Sequence, residues 1–177
     1  LWRTTGVIGE GSCMFILEPD SSPRPALAYI EGYAFSADQN NQLCSELNAA
    51  IRLTLADSNT SYRNIESISA WGPGHRELDK AEAETLVDIF ANTLASIPIS
   101  SIKGAIGNPL GAAGAMQVAA AALGIHHGQI TPTVNWEHPD PDCDLRLSSA
   151  IRDISHKNSL INSHGISGSN ACLLISR

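Results

Sequence analysis

The sequence predicts an α/β domain in which helices cover the faces of a β-sheet. Short apolar segments next to glycine or proline alternate with segments whose apolar residues recur every three or four positions. Strands that alternate with helices in this way are typical of α/β sheets. A chain of 177 residues can bury one ordinary hydrophobic core, and the sequence contains no internal repeat or linker. We therefore expect one domain over residues 1–177.

The predicted strands share a short apolar run beside a turn-forming residue. Glycines precede the first run, prolines precede the second, and the turn Gly72-Pro73-Gly74 ends the third. The predicted strands are residues 12–18, 26–35, 65–70, 98–102, 145–147, 159–162 and 171–175.

Helices are predicted from longer apolar periodicities. Leucine and isoleucine recur every four residues from Leu43 to Leu55, which indicates an amphipathic helix. Asp79 is suited to cap a second helix, whose apolar stripe lies between residues 86 and 94. The alanine-rich segment 112–123 has almost no polar face, so we expect a buried helix at the centre of the fold.

Charge and composition exclude several classes of protein. Eleven Lys and Arg stand against eighteen Asp and Glu, a formal net charge of −7, so we expect no nucleic-acid partner. No long unbroken apolar run is present, so we expect no membrane span. The four cysteines are widely spaced and form no C-x-x-C pair, which favours a reduced, cytoplasmic protein. The chain begins at Leu1 without a secretory signal, and we expect it to be the cut end of a longer polypeptide.

Candidate sites for cofactors and metals are weak in this sequence. The glycine-rich stretches 6–11 and 104–114 lack the lysine-serine pair of a P-loop and the acidic residue of a dinucleotide site, so turns and close packing explain them better. The histidines form no metal-binding pair on one helix face, and prolines interrupt the acidic stretch 140–144. We therefore expect neither a cofactor nor a metal.

Three blocks of sequence follow one another in a recognisable order. They are residues 6–11; residues 79–82 with 100–103 and 111–115; and residues 131–135 with 139–140, 143–144 and 162–170. In order and spacing they resemble the C-terminal half of the β-ketoacyl-acyl-carrier-protein synthases, the condensing enzymes of fatty-acid and polyketide assembly. The resemblance implies the C-terminal half of a thiolase-like fold, with a mixed sheet and helices on both faces. It also implies that an N-terminal half with a cysteine nucleophile is absent from this chain.

The resemblance implies a catalytic site built around two histidines, which polarise a malonyl thioester and stabilise its enolate. Lys103 and Glu82 match the lysine and the glutamate that organise this site. Trp71 stands in place of the first histidine, and Asn108 stands in place of the second. An indole cannot transfer a proton usefully at neutral pH, and an asparagine cannot act as a general base.

Two further departures concern the surroundings of that site. His75, four residues beyond Trp71, could supply a displaced imidazole or could simply be solvated. The phenylalanine gate of the family is altered to His164 and Ile166, which implies an acyl pocket that is reshaped or closed.

These losses resemble the chain-length factors, which pair with an active synthase without condensing. We therefore expect a catalytically degenerate, ketosynthase-like subunit of fatty-acid or polyketide biosynthesis. Its expected partners are an acyl-carrier protein, acyl and malonyl thioesters, and an active ketosynthase or a second copy in a dimer. Two alternatives stay open: an active β-ketoacyl synthase or decarboxylase that uses Lys103 and Asn108 with the missing cysteine, and a binding module for an acyl-carrier protein.

Overall fold

The computed structural model describes residues 6–39, 42–138, 140, 141, 143, 145–165 and 167–177. The longer elements in chain order are β1 (Tyr29–Ala37), α1 (Leu47–Asp57), β2 (Ile68–Ser69), α2 (Arg76–Phe90), β3 (Ile99–Ser100), α3 (Lys103–Ile106), α4 (Ala113–His127), β4 (Gln129–Ile130), β5 (Arg152–Asp153), β6 (Asn158–His164) and β7 (Ser169–Ser176). Short 3-10 helices lie at Tyr62–Asn64, Ala91–Ser96 and Leu110–Ala112.

Five of these strands form one mixed sheet in the order β1-β7-β6-β2-β3. β7 runs antiparallel to both β1 and β6, whereas β2 runs parallel to both β6 and β3. β4 and β5 form a separate antiparallel pair. The mixed sheet with its helices confirms the α/β class that the alternation of strands and helices predicts.

Different helices cover the two faces of the sheet. On one face, α1 and α2 pack against Leu160 of β6 and Leu174 of β7. On the other face, Ala122 and Ile125 of α4 pack against Ile161, the sequence neighbour of Leu160. Successive side chains of a strand point to opposite faces, so α4 lies across the sheet from α1 and α2.

The alanine-rich helix α4 forms as predicted, but it is fully covered only on the side toward the sheet. Its buried residues are Ala113, Gln117, Ala122, Gly124 and Ile125. Leu123, by contrast, is 46% exposed. The described residues therefore leave part of an apolar helix open to solvent.

Two predicted strands are wrong. Residues 12–18 form no strand, and the side chains of Met14 and Ile16 are 91% and 81% exposed. Residues 145–147 also form no strand, although Leu145 and Leu147 pack against the core. An apolar run becomes a strand only where another strand offers free backbone N–H and C=O groups alongside it. Within the described ranges, residues 12–18 have no such neighbour.

The predicted cap of the second helix is also wrong. α2 begins at Arg76 with His75 at the N-cap position, so Asp79 lies in the first helical turn. The Asp79 carboxylate accepts a hydrogen bond from the backbone N–H of Gly74 at 3.3 Å. Asp79 therefore stabilises the start of the helix from inside its first turn, where a negative charge suits the helix dipole.

None of the helices in the part of the chain that the structure describes is long and apolar enough to cross a lipid bilayer. Among the same residues, no group of three or more His, Cys, Asp or Glu side chains is placed to hold a metal ion.

Candidate active site

A cleft of about 820 Å³ lies at one edge of the sheet, where the parallel strands β2 and β3 end. Trp71 follows β2, and Lys103 follows β3 at the start of α3. Lys103 lines the cleft together with Asp79 and Glu82, which α2 contributes. Because parallel strands end at the same edge of a sheet, this topology brings together residues that are far apart in sequence. Trp71 does not itself line the cleft, but it contacts both Glu82 and Lys103, so three of the predicted site residues meet at this edge.

Lys103 is held between Trp71 and Gln117, and only 6% of it is exposed. Its Nζ donates to the carbonyl oxygen of Trp71 at 2.5 Å and to Oε1 of Gln117 at 3.1 Å. The same Nζ lies 3.8 Å from the centroid of the Trp71 ring, a cation–π distance. Two hydrogen bonds and an indole face therefore surround the ammonium group.

Burial lowers the pKa of Lys103 to about 8, because a charged ammonium group loses its hydration there. The negative charges of Glu82 and Asp79 act in the opposite direction and only partly offset this effect. Lys103 can therefore change its charge within the pH range in which proteins ordinarily work.

Glu82 fixes the turn that carries Trp71. Its side chain is 3% exposed. Oε1 accepts from the backbone N–H of Trp71 at 2.9 Å and from Nδ2 of Asn162 at 3.2 Å, and Oε2 accepts from the N–H of Gly72 at 2.9 Å. Glu82 thus shapes the turn directly, and it influences Lys103 through its charge.

Asp79 lies one helical turn before Glu82 and lines the same cleft. Burial, and to a smaller extent the negative charge of Glu82, raise the pKa of Asp79 to about 7, although the Gly74 N–H and Lys103 oppose the shift. The cleft therefore contains a carboxyl group that takes up a proton near neutral pH. The sequence indicated Asp79 as a helix cap and as part of the block 79–82, but not as an ionisable group of the site.

Asn108 lies apart from this group and is not among the residues that line the cleft. Its Oδ1 accepts from the backbone N–H of Leu110 at 3.3 Å. Its backbone pairs with the N-terminal segment: the Asn108 N–H donates to the Val7 carbonyl at 2.7 Å, and the Gly9 N–H donates to the Asn108 carbonyl at 3.0 Å. The side-chain oxygen of Asn108 is therefore engaged in a local turn.

The N-terminal glycines allow a close approach between backbones. A Cβ atom on Gly6 would lie 1.7 Å from the carbonyl oxygen of Pro73, and one on Gly9 would lie 2.0 Å from that of Ile106. Real Cβ atoms do not approach other atoms so closely, so these positions require glycine. This contact agrees with the interpretation of residues 6–11 as a close-packing segment.

The two histidines singled out in the sequence lie outside the cleft lining. His75 is half-buried at the N-cap of α2, and its Nδ1 has no hydrogen-bond partner among the described residues. His164 is 4% exposed, and its Nδ1 lies 2.8 Å from Oδ1 of Asn170. Ile166, the other predicted gate residue, lies outside the described residues.

His164 belongs to a buried polar network that includes Asp38. Nδ2 of Asn170 donates to Oδ1 of Asp38 at 2.6 Å. Because a carboxylate only accepts, the amide oxygen of Asn170 faces His164, whose Nδ1 therefore donates. Asp38 also accepts from the backbone N–H groups of Cys44 and Glu46. The network ties the end of β1 to the approach to α1 and to the β6–β7 turn.

The fold and this cleft define an α/β half of the thiolase-like class. A family model described as "Beta-ketoacyl synthase, C-terminal domain" matches residues 27–137. The chain therefore belongs to the C-terminal domain family of the β-ketoacyl synthases.

Known relatives agree with this assignment. The chain is 34% identical over 175 residues to nodulation protein E of Rhizobium sp. (strain N33), covering 94% of this chain and 44% of that protein. A type II PKS acyl-carrier protein in complex with its ketosynthase has a similar structure, with a TM-score of 0.81 and 28% identity over 85% of this chain and 38% of that one. The ishigamide ketosynthase/chain length factor matches with a TM-score of 0.80 and 31% identity over the same shares. The chain thus spans less than half the length of these proteins.

Proposed function

We propose that this chain forms the C-terminal half of a ketosynthase-like subunit of polyketide or fatty-acid biosynthesis that does not condense and acts as a chain-length-factor-like partner. The contact between Trp71 and Lys103 carries this proposal. An indole occupies the position of the first family histidine, and its ring and carbonyl oxygen hold the lysine of the site. The side chain of Asn108, at the second position, does not line the cleft. Neither of the two family positions therefore supplies an imidazole, and among the described residues the histidine that lines the cleft is His138.

Two of the proposed partners follow from similar structures. One of those structures contains an acyl-carrier protein with its ketosynthase, and another is a ketosynthase/chain length factor. We infer that the full-length protein pairs with an active synthase, or with itself, and meets acyl and malonyl thioesters on an acyl-carrier protein.

Sedimentation of the full-length protein tests the partner role. We expect a dimer that forms either alone or on addition of a ketosynthase encoded nearby, because the proposed role requires a partner subunit. A protein that stays monomeric with every such synthase would contradict the role.

A second candidate function is decarboxylation of a malonyl thioester without condensation. It is favoured by the access of the cleft to Lys103 and Asp79, two groups that change charge near neutral pH. An assay of malonyl-carrier decarboxylation by the purified full-length protein, with no partner synthase present, separates the two functions. Release of CO₂ at a synthase-like rate supports the second.

We also infer that an N-terminal half of the same polypeptide covers apolar surface that this chain leaves open. Ile16 and Leu17 are 81% and 77% exposed, and on β1 Tyr33 and Phe35 are 59% and 69% exposed. Large apolar side chains exposed to this degree are typical of surface that another part of a protein covers.

The 177-residue chain alone is therefore expected to bind a hydrophobic dye and to lack a cooperative unfolding transition as a monomer. Calorimetry and dye fluorescence of the isolated chain measure this, with the full-length protein as control. Cooperative melting of a monomer that binds no dye would oppose the two-half arrangement.

A further inference from the structure

We propose that Gln117 is a positioning residue of the cleft, whose neutral side-chain amide holds the Lys103 amine against Trp71 and joins both to the end of β2 and to Asn162 of β6. This inference deepens the proposed function, on which it rests, by naming the residue that keeps the non-condensing site together. Gln117 is fully buried on α4, directly beneath the site.

The orientation of the Gln117 amide follows from its neighbours. Nε2 lies 3.0 Å from the carbonyl oxygen of Ala70 and 3.1 Å from that of Asn162. Carbonyl oxygens only accept hydrogen bonds, so the NH₂ group must face them. Oε1 is thereby turned toward Lys103, whose Nζ donates to it at 3.1 Å. The oxygen and the NH₂ group of the Gln117 amide therefore cannot change places.

This arrangement requires a group that donates on one side and accepts on the other. An aliphatic side chain at position 117 would remove the donor to two carbonyl oxygens and one of the two acceptors of the Lys103 ammonium group, which is costly in a buried place. A carboxylate would direct one acceptor at the carbonyl oxygens of Ala70 and Asn162. A neutral amide satisfies both sides at once.

The neutrality of Gln117 also determines how Lys103 responds to pH. The charged groups that act on Lys103 are Glu82 and Asp79, both from α2, and α4 contributes only the uncharged Gln117. Without a carboxylate in direct contact, burial dominates and the pKa of Lys103 falls to about 8. When Lys103 loses its proton, its cation–π contact with Trp71 is lost as well.

The test measures the charge state of Lys103 in the full-length protein. Amine acetylation is carried out across a pH series, and the labelled fraction of the Lys103 peptide is read by mass spectrometry. We expect a midpoint near pH 8 in the parent protein. Gln117→Glu should raise the midpoint by at least about one pH unit, because a carboxylate in contact favours the ammonium form. Gln42→Glu, an exposed substitution with the same charge change, should leave it unaltered.

Two results would overturn the inference. One is a parent midpoint at the ordinary lysine value of about 10.4. The other is an unchanged midpoint in a folded Gln117→Glu protein. If Gln117→Glu does not fold, Gln117→Met takes its place. It is expected to lower the midpoint, because it removes Oε1 of Gln117, one of the two acceptors of Lys103 Nζ. The readout needs neither turnover nor a partner, so condensation by the protein would refute the proposed function without affecting this result.

Discussion

Condensation by the full-length protein is expected to be at least ~10²–10⁴-fold slower than condensation by a synthase that carries both histidines. This factor is the usual contribution of positioned acid–base groups, and neither Trp71 nor Asn108 can replace an imidazole in proton transfer. Loss of a donor at the thioester carbonyl adds roughly 10²–10³-fold, unless the NH₂ group of Asn108 supplies it. Product formation from acyl and malonyl carriers, with the protein purified free of partner synthases, gives the rate.

The double variant Trp71→His and Asn108→His is the matched comparison. It places an imidazole at each of the two positions and removes the indole that packs on Lys103. We expect it to condense no more slowly than the parent. Turnover by the parent at ordinary synthase rates would refute the non-condensing role, and Lys103, Asn108 and His75 would be the next residues to replace.

Replacing Glu82 is expected to lower the free energy of unfolding more than any exposed substitution on α2. Its carboxylate accepts three hydrogen bonds, from the N–H groups of Trp71 and Gly72 and from Asn162. Glu82→Ala would leave these buried donors without an acceptor, at a cost of roughly 1–3 kcal/mol for each unsatisfied group before relaxation. A total loss of about 3–5 kcal/mol follows, measured by denaturant unfolding of the full-length protein.

Glu84→Ala on the same helix is the control for this substitution. The side chain of Glu84 is 64% exposed and lies 4.0 Å from Lys80, so its removal should change stability by less than about 0.5 kcal/mol. Equal losses from the two variants would show that Glu82 does not hold the Trp71 turn.

Sequence patterns predicted the fold best where the local pattern and the sheet agree. Predicted strands 159–162 and 171–175 lie inside β6 and β7, which pair with each other over most of their length. The segment 12–18 is also apolar, but no strand lies beside it in the described ranges, and it forms no strand. Strand pairing is a long-range property, so composition alone could not separate these cases.

The structure brings Trp71, Glu82 and Lys103 together, whereas the side chain of Asn108 bonds within its own loop. The roles that the family resemblance implies for these residues stay predictions. Gln117 was missed because one glutamine in an alanine-rich helix resembles a surface residue. A signal was nevertheless present, since a single polar side chain in a helix without a polar face must find buried partners.

The glycine contacts at the rim of the cleft limit how amino-acid substitution can change its shape. Where Gly6 meets the turn at Pro73 and Gly9 meets the end of α3 at Ile106, main chain lies against main chain with no room for a Cβ atom. The width at this point is therefore set by the thickness of the peptide backbone, which substitution cannot vary. Side-chain changes can remodel the cleft at its other lining residues, which include Val7 and Ile8 between these glycines and also Trp136 and Leu147. The separation of the backbones at the two crossings is thus constant, and differences in cleft shape among close relatives are expected in the side-chain lining.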